Sequence, residues 1–412
     1  MKILVINTLY ESYVLDFYSR NPGIEDMSYN EQKIILERDG FAWNGVWNKP
    51  FEKLGVHAEN IYANVNSLQN AWAKENLGNI PDINTIIEEQ IKKIQPEIIF
   101  IDTVFIYDNK WIDEIKRKYS FVRIVIGYVC SPSYHISDIN HYDFIFTCLE
   151  SIKKELLESN IKSAFLPHAF NPELLNIVIN KEAKEEICFY GGFVRGAMGH
   201  GYREDVLTDI INTDTKIDIF SEMSEVSVLK DVVLIKSKKI LFSVYNFLKA
   251  VKLPKGALNK LPYYSRISNW EDFKSEMFNG KLKKAIKKAK YGMSLYHTML
   301  GYKCVLNIHG DLAKNEAANM RMFEVTGMGR LLITDWKPNL HLFFEDGKEV
   351  LSFKNSAECI EKIEWVKRNP EAAALIAKAG QQRTLKTHNF DLRAESMLKE
   401  LRLSGLLETV KN

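Results

Sequence analysis

The sequence predicts an α/β fold built from two tandem Rossmann-like domains, each a parallel sheet covered by helices. Three observations predict it. Short apolar runs of strand length alternate with amphipathic stretches of helical period through the first 170 residues, the pattern of a parallel sheet whose strands are joined by crossover helices. The same alternation restarts at "EEICFYGGF", after a break marked by Pro167 and Pro172. The chain of 412 residues is long enough for two or three domains with separate cores.

In order along the chain, "KILVIN" (2–7) opens as a buried strand, followed by strands in "PEIIFIDTV" (96–104), "FVRIVIGYV" (121–129) and "YDFIFTC" (142–148). Between them "INTIIEEQIKKIQ" and "NKWIDEIKRKY" place apolar residues at a 3.6-residue period with charged outer faces, as surface helices do. "LESIKKELLESN" gives a further helix and "KSAFLPHAFNP" a last strand and exit, so the first domain is expected over 1–170. In the second domain, expected over 171–388, "EEICFYGGF", "KIDIF", "KCVLNIH", "RLLITD" and "EVLSF" read as strands. "EAANMRMFEV", "SAECIEKIEWVKRN" and "PEAAALIAKAGQQRTLKTH" read as helices. Residues 389–412 are expected to form a terminal helix that packs back on the first domain. The segment 232–270 fits neither pattern and reads as an insertion.

Composition excludes several function classes. Lys plus Arg (55) against Asp plus Glu (53) leaves a net charge of +2, which supplies no global attraction to nucleic acid. The five cysteines, Cys130, Cys148, Cys188, Cys304 and Cys359, are scattered and never form C-x-x-C, which reads as reduced thiols in a cytoplasmic protein. "MKILVIN" is too short for a signal-peptide core, and no run approaches the roughly 20 apolar residues of a membrane span. The nine histidines lack metal-ligand spacing and no D-x-D pair is present, so neither a structural nor a catalytic metal is expected.

The motifs narrow the chemistry. "TLYESYV" follows the first strand where a dinucleotide fold carries G-x-G-x-x-G, which argues against an oxidoreductase. The second series does begin with a strand and then glycines, "YGGFVRGAMGHGYRED". Bare backbone at Gly191 and Gly192 near a helix start can receive phosphate oxygens, although a flexible interdomain loop would use the same residues. Gly191 and Gly196 have the outer spacing of a P-loop, but Ala197 and Met198 stand where Lys and Ser or Thr are required, which argues against triphosphate hydrolysis. Arg195 and Arg203 are the natural cations for a diphosphate, with a surface role open for each.

Glu316 and Glu324 are eight positions apart. On one helix they would lie about 12 Å apart and about 80° around the axis, so both could reach one elongated ligand. As plain structure, Glu316 would be a first-turn acid and Glu324 a solvated charge. His135, in "CSPSYHIS", and His309, in "LNIHGD", each follow a strand end, where α/β folds place ligand contacts; a structural role is open for both. His168 is assigned to the hinge.

The stretch "LNIHGDLAKNEAANMRMFEVTGMGRLLITDW" resembles the donor-binding core of GT-B glycosyltransferases, most closely the CgeB-like group named for a spore maturation protein. The likeness rests on the Glu-x7-Glu spacing of Glu316 and Glu324, the run through Asn319, Arg321 and Phe323, and the glycine turn from Gly327 to Gly329. It continues through "DGKEVLSFKNSAECIEKIEWVKRN" towards the end of the chain, and "NVNSLQNAWAKE" and "LPHAFNPELL" carry it into the first domain and hinge. The resemblance implies two domains facing across a cleft, with a nucleotide-sugar held mainly by the second. It places Glu324 on ribose hydroxyls, Glu316 by the donor sugar, and Asn319 and Arg321 among the donor contacts. A carboxylate suits ribose because it accepts hydrogen bonds from two adjacent hydroxyls. Glu324→Ala is accordingly expected to weaken donor binding and leave the fold intact.

The implied activity is metal-independent transfer of a sugar from a nucleotide donor to a glycan or lipid-linked acceptor of a bacterial surface polysaccharide, with the carboxylate spacing leaning towards retention of configuration. A nucleotide-sugar epimerase or hydrolase on the same fold, and a non-catalytic sugar-binding subunit, are the alternatives. Within 232–270, Lys236, Lys238, Lys239, Lys249, Lys252, Lys255, Lys260 and Arg266 occur with no acidic residue. An apolar stripe through Ile240, Leu241, Val244, Tyr245, Leu248 and Val251 accompanies them. Such a helix suits either an anionic membrane surface on the cytoplasmic side or packing on the protein's own second domain.

Overall fold

The runs of β-branched and aliphatic residues form strands buried on both faces, as parallel sheets with crossover helices require. The structure, a computed structural model, describes all residues except 133, 180–181, 184, 194–200, 214, 223–239, 241, 245–246, 249–279, 314 and 409–412. In the first domain β1 (Lys2–Asn7), β2 (His57–Tyr62), β3 (Ile98–Ile101), β4 (Ile124–Val129), β5 (Phe144–Thr147) and β6 (Ser163–Phe165) form one sheet in the order β2-β1-β3-β4-β5-β6. Every pairing is parallel. In the second domain β7 (Glu185–Tyr190), β8 (Asp218–Ser221), β9 (Ile286–Lys288), β10 (Tyr302–Asn307), β11 (Leu331–Asp335) and β12 (Leu351–Phe353) run in the order β12-β11-β10-β7-β8-β9, again all parallel.

Both orders reverse direction once, between β1 and β3 in the first sheet and between β7 and β10 in the second. At such a reversal the connecting chains leave on opposite faces of the sheet and open a crevice at the carboxyl ends of the strands. Each domain therefore carries one crevice, and the positions are set by strand order alone. Two strands carried no clear sequence signal. β2, "HAENIY", is an edge strand with an exposed first residue, and β9, "IKK", exposes both lysines. An edge strand has a neighbour on one side only and needs no continuous apolar run.

Local chemistry sets the helix starts. Asp82 accepts from the N–H groups of Asn84 and Thr85 at the head of Ile83–Ile94, and Asp108 from Trp111 N–H at the head of Asn109–Lys118. Asn355 and Asn389 do the same for Ser356–Arg368 and Phe390–Leu403, while Pro370 opens Pro370–Thr387. Such caps satisfy N–H groups that the helix itself leaves without partners.

The expected helix over "EAANMRMFEV" is the main correction to the fold. It spans only Arg321–Gly327, and Glu316 lies in the irregular chain before it. Tertiary hydrogen bonds hold that chain out of helix: Ala317 N–H donates to Asn339 Oδ1 (2.6 Å), Asn339 Nδ2 to Ala317 O (3.1 Å), and Asn319 Nδ2 to Asn307 Oδ1 (2.7 Å). Two carboxylates on one helix face is therefore not the arrangement present.

The chain crosses between domains twice, side by side. Phe170 bridges Asn389 and donates its N–H to His388 O at 2.8 Å. The buried Arg393 donates from Nε to Pro167 O (2.8 Å) and from Nη2 to His168 O (3.0 Å). Beyond this crossing Phe390, Met397, Leu398 and Leu401 of the terminal helix join the core of the first domain. The Phe170 ring lies so close to Gly327 that a Cβ there would sit 2.3 Å from it, so the residue ending the Arg321–Gly327 helix has to be glycine. The hinge and the end of this helix are thus in direct contact.

Candidate functional site

The two crevices face each other and share one cleft of about 690 Å³. Its first-domain wall is built at the reversal between β1 and β3: Asn7 to Tyr10 follow β1, Asp102, Thr103 and Phe105 follow β3, and His168 stands after β6. Its second-domain wall is the matching reversal: Tyr190, Gly191 and Gly192 leave β7, Asn307 ends β10, and Asn319, Arg321 and Glu324 come from the segment and helix that follow.

On the second wall Glu324, 7% exposed, pairs with Arg321 Nη1 at 2.6 Å through Oε2 and accepts from the Tyr296 hydroxyl at 3.1 Å through Oε1. The guanidinium of Arg321 stands 5.6 Å over the Tyr190 ring, which stacks on Phe220 at 4.8 Å. Arg321 Nε has no hydrogen-bond partner among the described residues. Arg203 lies deeper. It donates from Nε and Nη2 to Ile308 O (3.2 and 2.7 Å) and from Nη1 to Gly192 O, with its guanidinium 5.5 Å over Phe189. Burial lowers its pKa to about 10, and it is still a cation at neutral pH. Gly191 is glycine for reasons of space, since a Cβ would lie 2.8 Å from the Phe189 ring and 3.3 Å from Arg203 Nη1. Lys290 completes the positive side of the cleft.

Gly191, Gly192, Arg203, Asn319, Arg321 and Glu324, named from the sequence as donor contacts, are thus brought together in one wall. Arg195 lies outside the described residues. Glu316, placed by the resemblance beside the donor sugar, and His135 and His309, read as strand-end ligand contacts and with it the candidates for catalysis, are not in the cleft lining. Glu316 faces the first domain, where its carboxylate accepts from the N–H groups of Glu150 (2.7 Å) and Ser151 (3.0 Å). Those amides open the helix Glu150–Glu158, whose own N-cap, Leu149, offers no side-chain acceptor, so Glu316 caps it from across the domain boundary.

His309 is buried, with Nδ1 2.7 Å from Asp335 Oδ1, and Lys337 approaches Asp335 Oδ2 at 3.2 Å. Burial alone would raise the Asp335 carboxyl, but His309 and Lys337 outweigh it and hold it at about 2. This cluster braces the ends of β10 and β11 behind the cleft wall. His135 is exposed, in the loop before the short helix Ile136–Ile139. It is the strand-end position that was legible in the sequence; which way the loop turns was not.

Sequence reasoning missed Tyr190, Tyr296, Asp102 and Lys290, and placed His168 only at the hinge. The signal for Asp102 was present, as an acid directly ending the apolar run "IIFI" at the carboxyl end of a strand. Burial, with a smaller contribution from Arg393, lowers the His168 pKa to about 4, so its imidazole is neutral at physiological pH. The scattered cysteines are not all apart in space: Cys130 and Cys148 lie side by side at the ends of β4 and β5, with Cα atoms 5.5 Å apart, whereas Cys188, Cys304 and Cys359 are separately buried. Adjacent parallel strands end side by side, which brings together residues 18 apart in sequence.

A family model described as glycosyl transferase-like matches residues 246–399, less than half of the chain and inclusive of the Arg321–Glu324 wall. Among solved structures the chain is similar to sucrose-phosphate synthase from Thermosynechococcus elongatus, at TM-score 0.51 and 10% identity, over 98% of this chain and 98% of that one. It is also similar to Anabaena HepE, solved in complex with UDP-glucose, at TM-score 0.49, 10% identity and 98% and 99% coverage. A glycosyltransferase from Rickettsia africae aligns at TM-score 0.46, 14% identity and 98% coverage of each chain. No curated protein matches the sequence. The architecture, two parallel six-stranded sheets facing across a cleft, is the GT-B fold.

Proposed function

We propose that this chain is a glycosyltransferase that moves a sugar from a nucleotide-sugar donor to a glycan or lipid-linked acceptor. The observation that carries the reading is the Arg321–Glu324 pair, facing the cleft at the strand reversal of the second sheet and lying within the glycosyl transferase-like segment. Glu324 would accept hydrogen bonds from the donor ribose. Arg321 and Lys290, with Arg203 behind them, would hold the diphosphate. Transfer breaks the bond between the anomeric carbon and the diphosphate oxygen, and the electron pair leaves with the phosphate. Fixed cations aimed at that oxygen stabilise the developing charge, in a mechanism in which the chain's own arginines and lysine do the work of a metal ion. The carboxylate spacing that leaned towards retention has lost its ground, because Glu316 caps the helix Glu150–Glu158 of the first domain.

The test is a thermal-shift screen of the full chain against nucleoside diphosphates and nucleotide-sugars, since a ligand at 100 times its Kd adds about 2.7 kcal/mol of stability. Stabilisation by one nucleotide class supports the reading, and no shift with any member overturns it. Product formed without an added acceptor, as free nucleotide or as an epimeric nucleotide-sugar, would instead mark a hydrolase or an epimerase.

Association with an anionic membrane surface, as part of a role in surface polysaccharide synthesis, is carried by the basic composition of 232–270. That insertion lies outside the described residues except for 240, 242–244 and 247–248. Among the described residues no helix is long and apolar enough to cross a membrane. Salt-sensitive co-sedimentation with anionic vesicles tests the proposal, and equal sedimentation with neutral vesicles overturns it.

A further inference from the structure

Three successive strands of the first sheet each lead into a residue with a metal-binding side chain. Cys130 follows β4, Cys148 follows β5, and His168 stands shortly after β6. The three strands are parallel neighbours, so their carboxyl ends lie in a row, one strand spacing apart. From that row the side chains converge: Cys130 Sγ, Cys148 Sγ and a ring nitrogen of His168 all lie within 4.8 Å of one another. Among the described residues no other three histidine, cysteine or acidic side chains come together in this way.

Two features of the cluster point to a bound ion. His168 Nδ1 is buried and has no hydrogen-bond partner among the described residues. A buried polar atom is normally paired, and here its near neighbours are two sulfur atoms. Cys130 Sγ in turn accepts the Cys148 N–H at 3.1 Å, a bond that favours the thiolate over the thiol. The imidazole is held in place without use of Nδ1: the Trp43 and Tyr128 rings stand with their centroids 5.8 Å from it, and Arg393 Nη2 donates to His168 O at 3.0 Å. A disulfide between the two cysteines would leave the nitrogen unpaired, whereas an ion shared by all three residues satisfies it.

We propose that Cys130, Cys148 and His168 hold one zinc ion at the first-domain wall of the cleft. Zinc bonds of about 2.3 Å to sulfur and about 2.0 Å to nitrogen, at tetrahedral angles, place ligand atoms roughly 3.5–3.8 Å apart, which the observed convergence allows. Two thiolates and one imidazole are soft ligands that select zinc over magnesium or calcium. Two thiolates and a divalent ion also sum to zero charge, which suits a cluster packed into the apolar core of the first domain. Cys130 and His168 line the cleft while Cys148 is buried, so the fourth position of the tetrahedron opens into the cleft and takes a water.

The ion ties together parts that are otherwise joined only through the sheet. His168 belongs to the first crossing between the domains, beside Pro167 and Phe170, and zinc fastens that crossing to the ends of β4 and β5. All three ligands belong to the first domain, whereas Arg203, Arg321 and Lys290 belong to the second. The site therefore stands independently of the donor reading and takes no part in holding the diphosphate. The sequence pattern predicts no metal because metal-ligand spacing is local, and these ligands come from three separate strand ends.

The experiment uses the full chain, purified under nitrogen without thiol reductant. Elemental analysis should find about one zinc per chain, or about one taken up from added zinc after stripping with a chelator. Zinc should raise the melting temperature and chelator should lower it again. Cobalt(II) in place of zinc should give sulfur-to-metal charge-transfer absorption and the intense visible bands of a tetrahedral site. Cys148→Ser and His168→Ala should each weaken zinc binding by more than about 100-fold, beyond what loss of a supporting group costs. His141→Gln, at an exposed histidine paired with Asp113, should leave it unchanged. Alkylation needs no variant and so is independent of misfolding: zinc should slow modification of Cys130 by about tenfold or more, and chelator should restore it. In denaturant with the zinc removed, all five cysteines should titrate as thiols. Titration of Cys188, Cys304 and Cys359 alone would reveal a Cys130–Cys148 disulfide and overturn the assignment. Failure to take up zinc, or zinc retained at parental affinity by both ligand variants, would overturn it equally.

Discussion

Replacing Glu324 by glutamine tests the donor wall most directly, because the change keeps the side-chain volume and removes only the charge. In the structure the carboxylate is 7% exposed, 2.6 Å from Arg321 Nη1 and 3.1 Å from the Tyr296 hydroxyl. Glutamine can still accept from Tyr296, so the loss falls on the ion pair. Breaking a fully buried pair costs about 3–5 kcal/mol. The Arg321 side chain is 21% exposed and keeps some solvent, so about 2 kcal/mol is the reasonable figure here. For a domain of this size that lowers Tm by about 4–8 °C. The same carboxylate serves the ribose, and losing a charged hydrogen-bond partner costs roughly 1.5–3 kcal/mol, or about tenfold to a hundredfold in nucleotide Kd. Both quantities should therefore move, in contrast to the expectation from sequence that the fold would be left intact. Calorimetric titration measures the affinity and thermal melting the stability. The effects of Glu324→Gln and Arg321→Gln on Tm should be strongly non-additive, since either change breaks the same pair. An unchanged Tm would refute the pairing, and a lowered Tm with unchanged affinity would reduce Glu324 to a brace.

Two further outcomes follow from the geometry. Glu316→Ala removes the cap on Glu150 and Ser151 and should cost about 1 kcal/mol in denaturant unfolding with nucleotide affinity unchanged, whereas a large fall in turnover without loss of stability would return Glu316 to the chemistry. His168 and His388 are both lowered to about 4 from an ordinary 6.5, chiefly by burial, so between those values the unfolded chain binds protons that the native protein does not. Stability should therefore be complete above pH 6.5 and fall towards pH 4, by up to about 3 kcal/mol for each residue, and a urea midpoint that is flat across this window would contradict the burial of both rings.

The alternation of apolar runs with amphipathic helices was enough to predict two parallel α/β sheets and most of their strands, because a strand buried on both faces and the helix that covers it have different periods that can be read locally. Asn319, Arg321 and Glu324 could be named together because they belong to one short stretch of chain, and the structure brings all three to the cleft wall. Everything decided between distant segments was not. Glu316 and Glu324 are near in sequence, yet hydrogen bonds from Asn339 and Asn307 pull the first out of the helix and turn it to another domain. His309 follows a strand, as a ligand contact would, but Asp335 of the neighbouring strand takes its imidazole into the interior. Conversely, Asp102 and Thr8 are separated by 94 positions and meet only because strand order sets β3 beside β1 at the reversal that opens the crevice. The sequence by itself determined the elements and the chemistry available at their ends, since periodicity and capping act over a few residues. Only the tertiary structure decided which of those ends face one another, because that depends on strand order and long-range hydrogen bonds that no local pattern encodes.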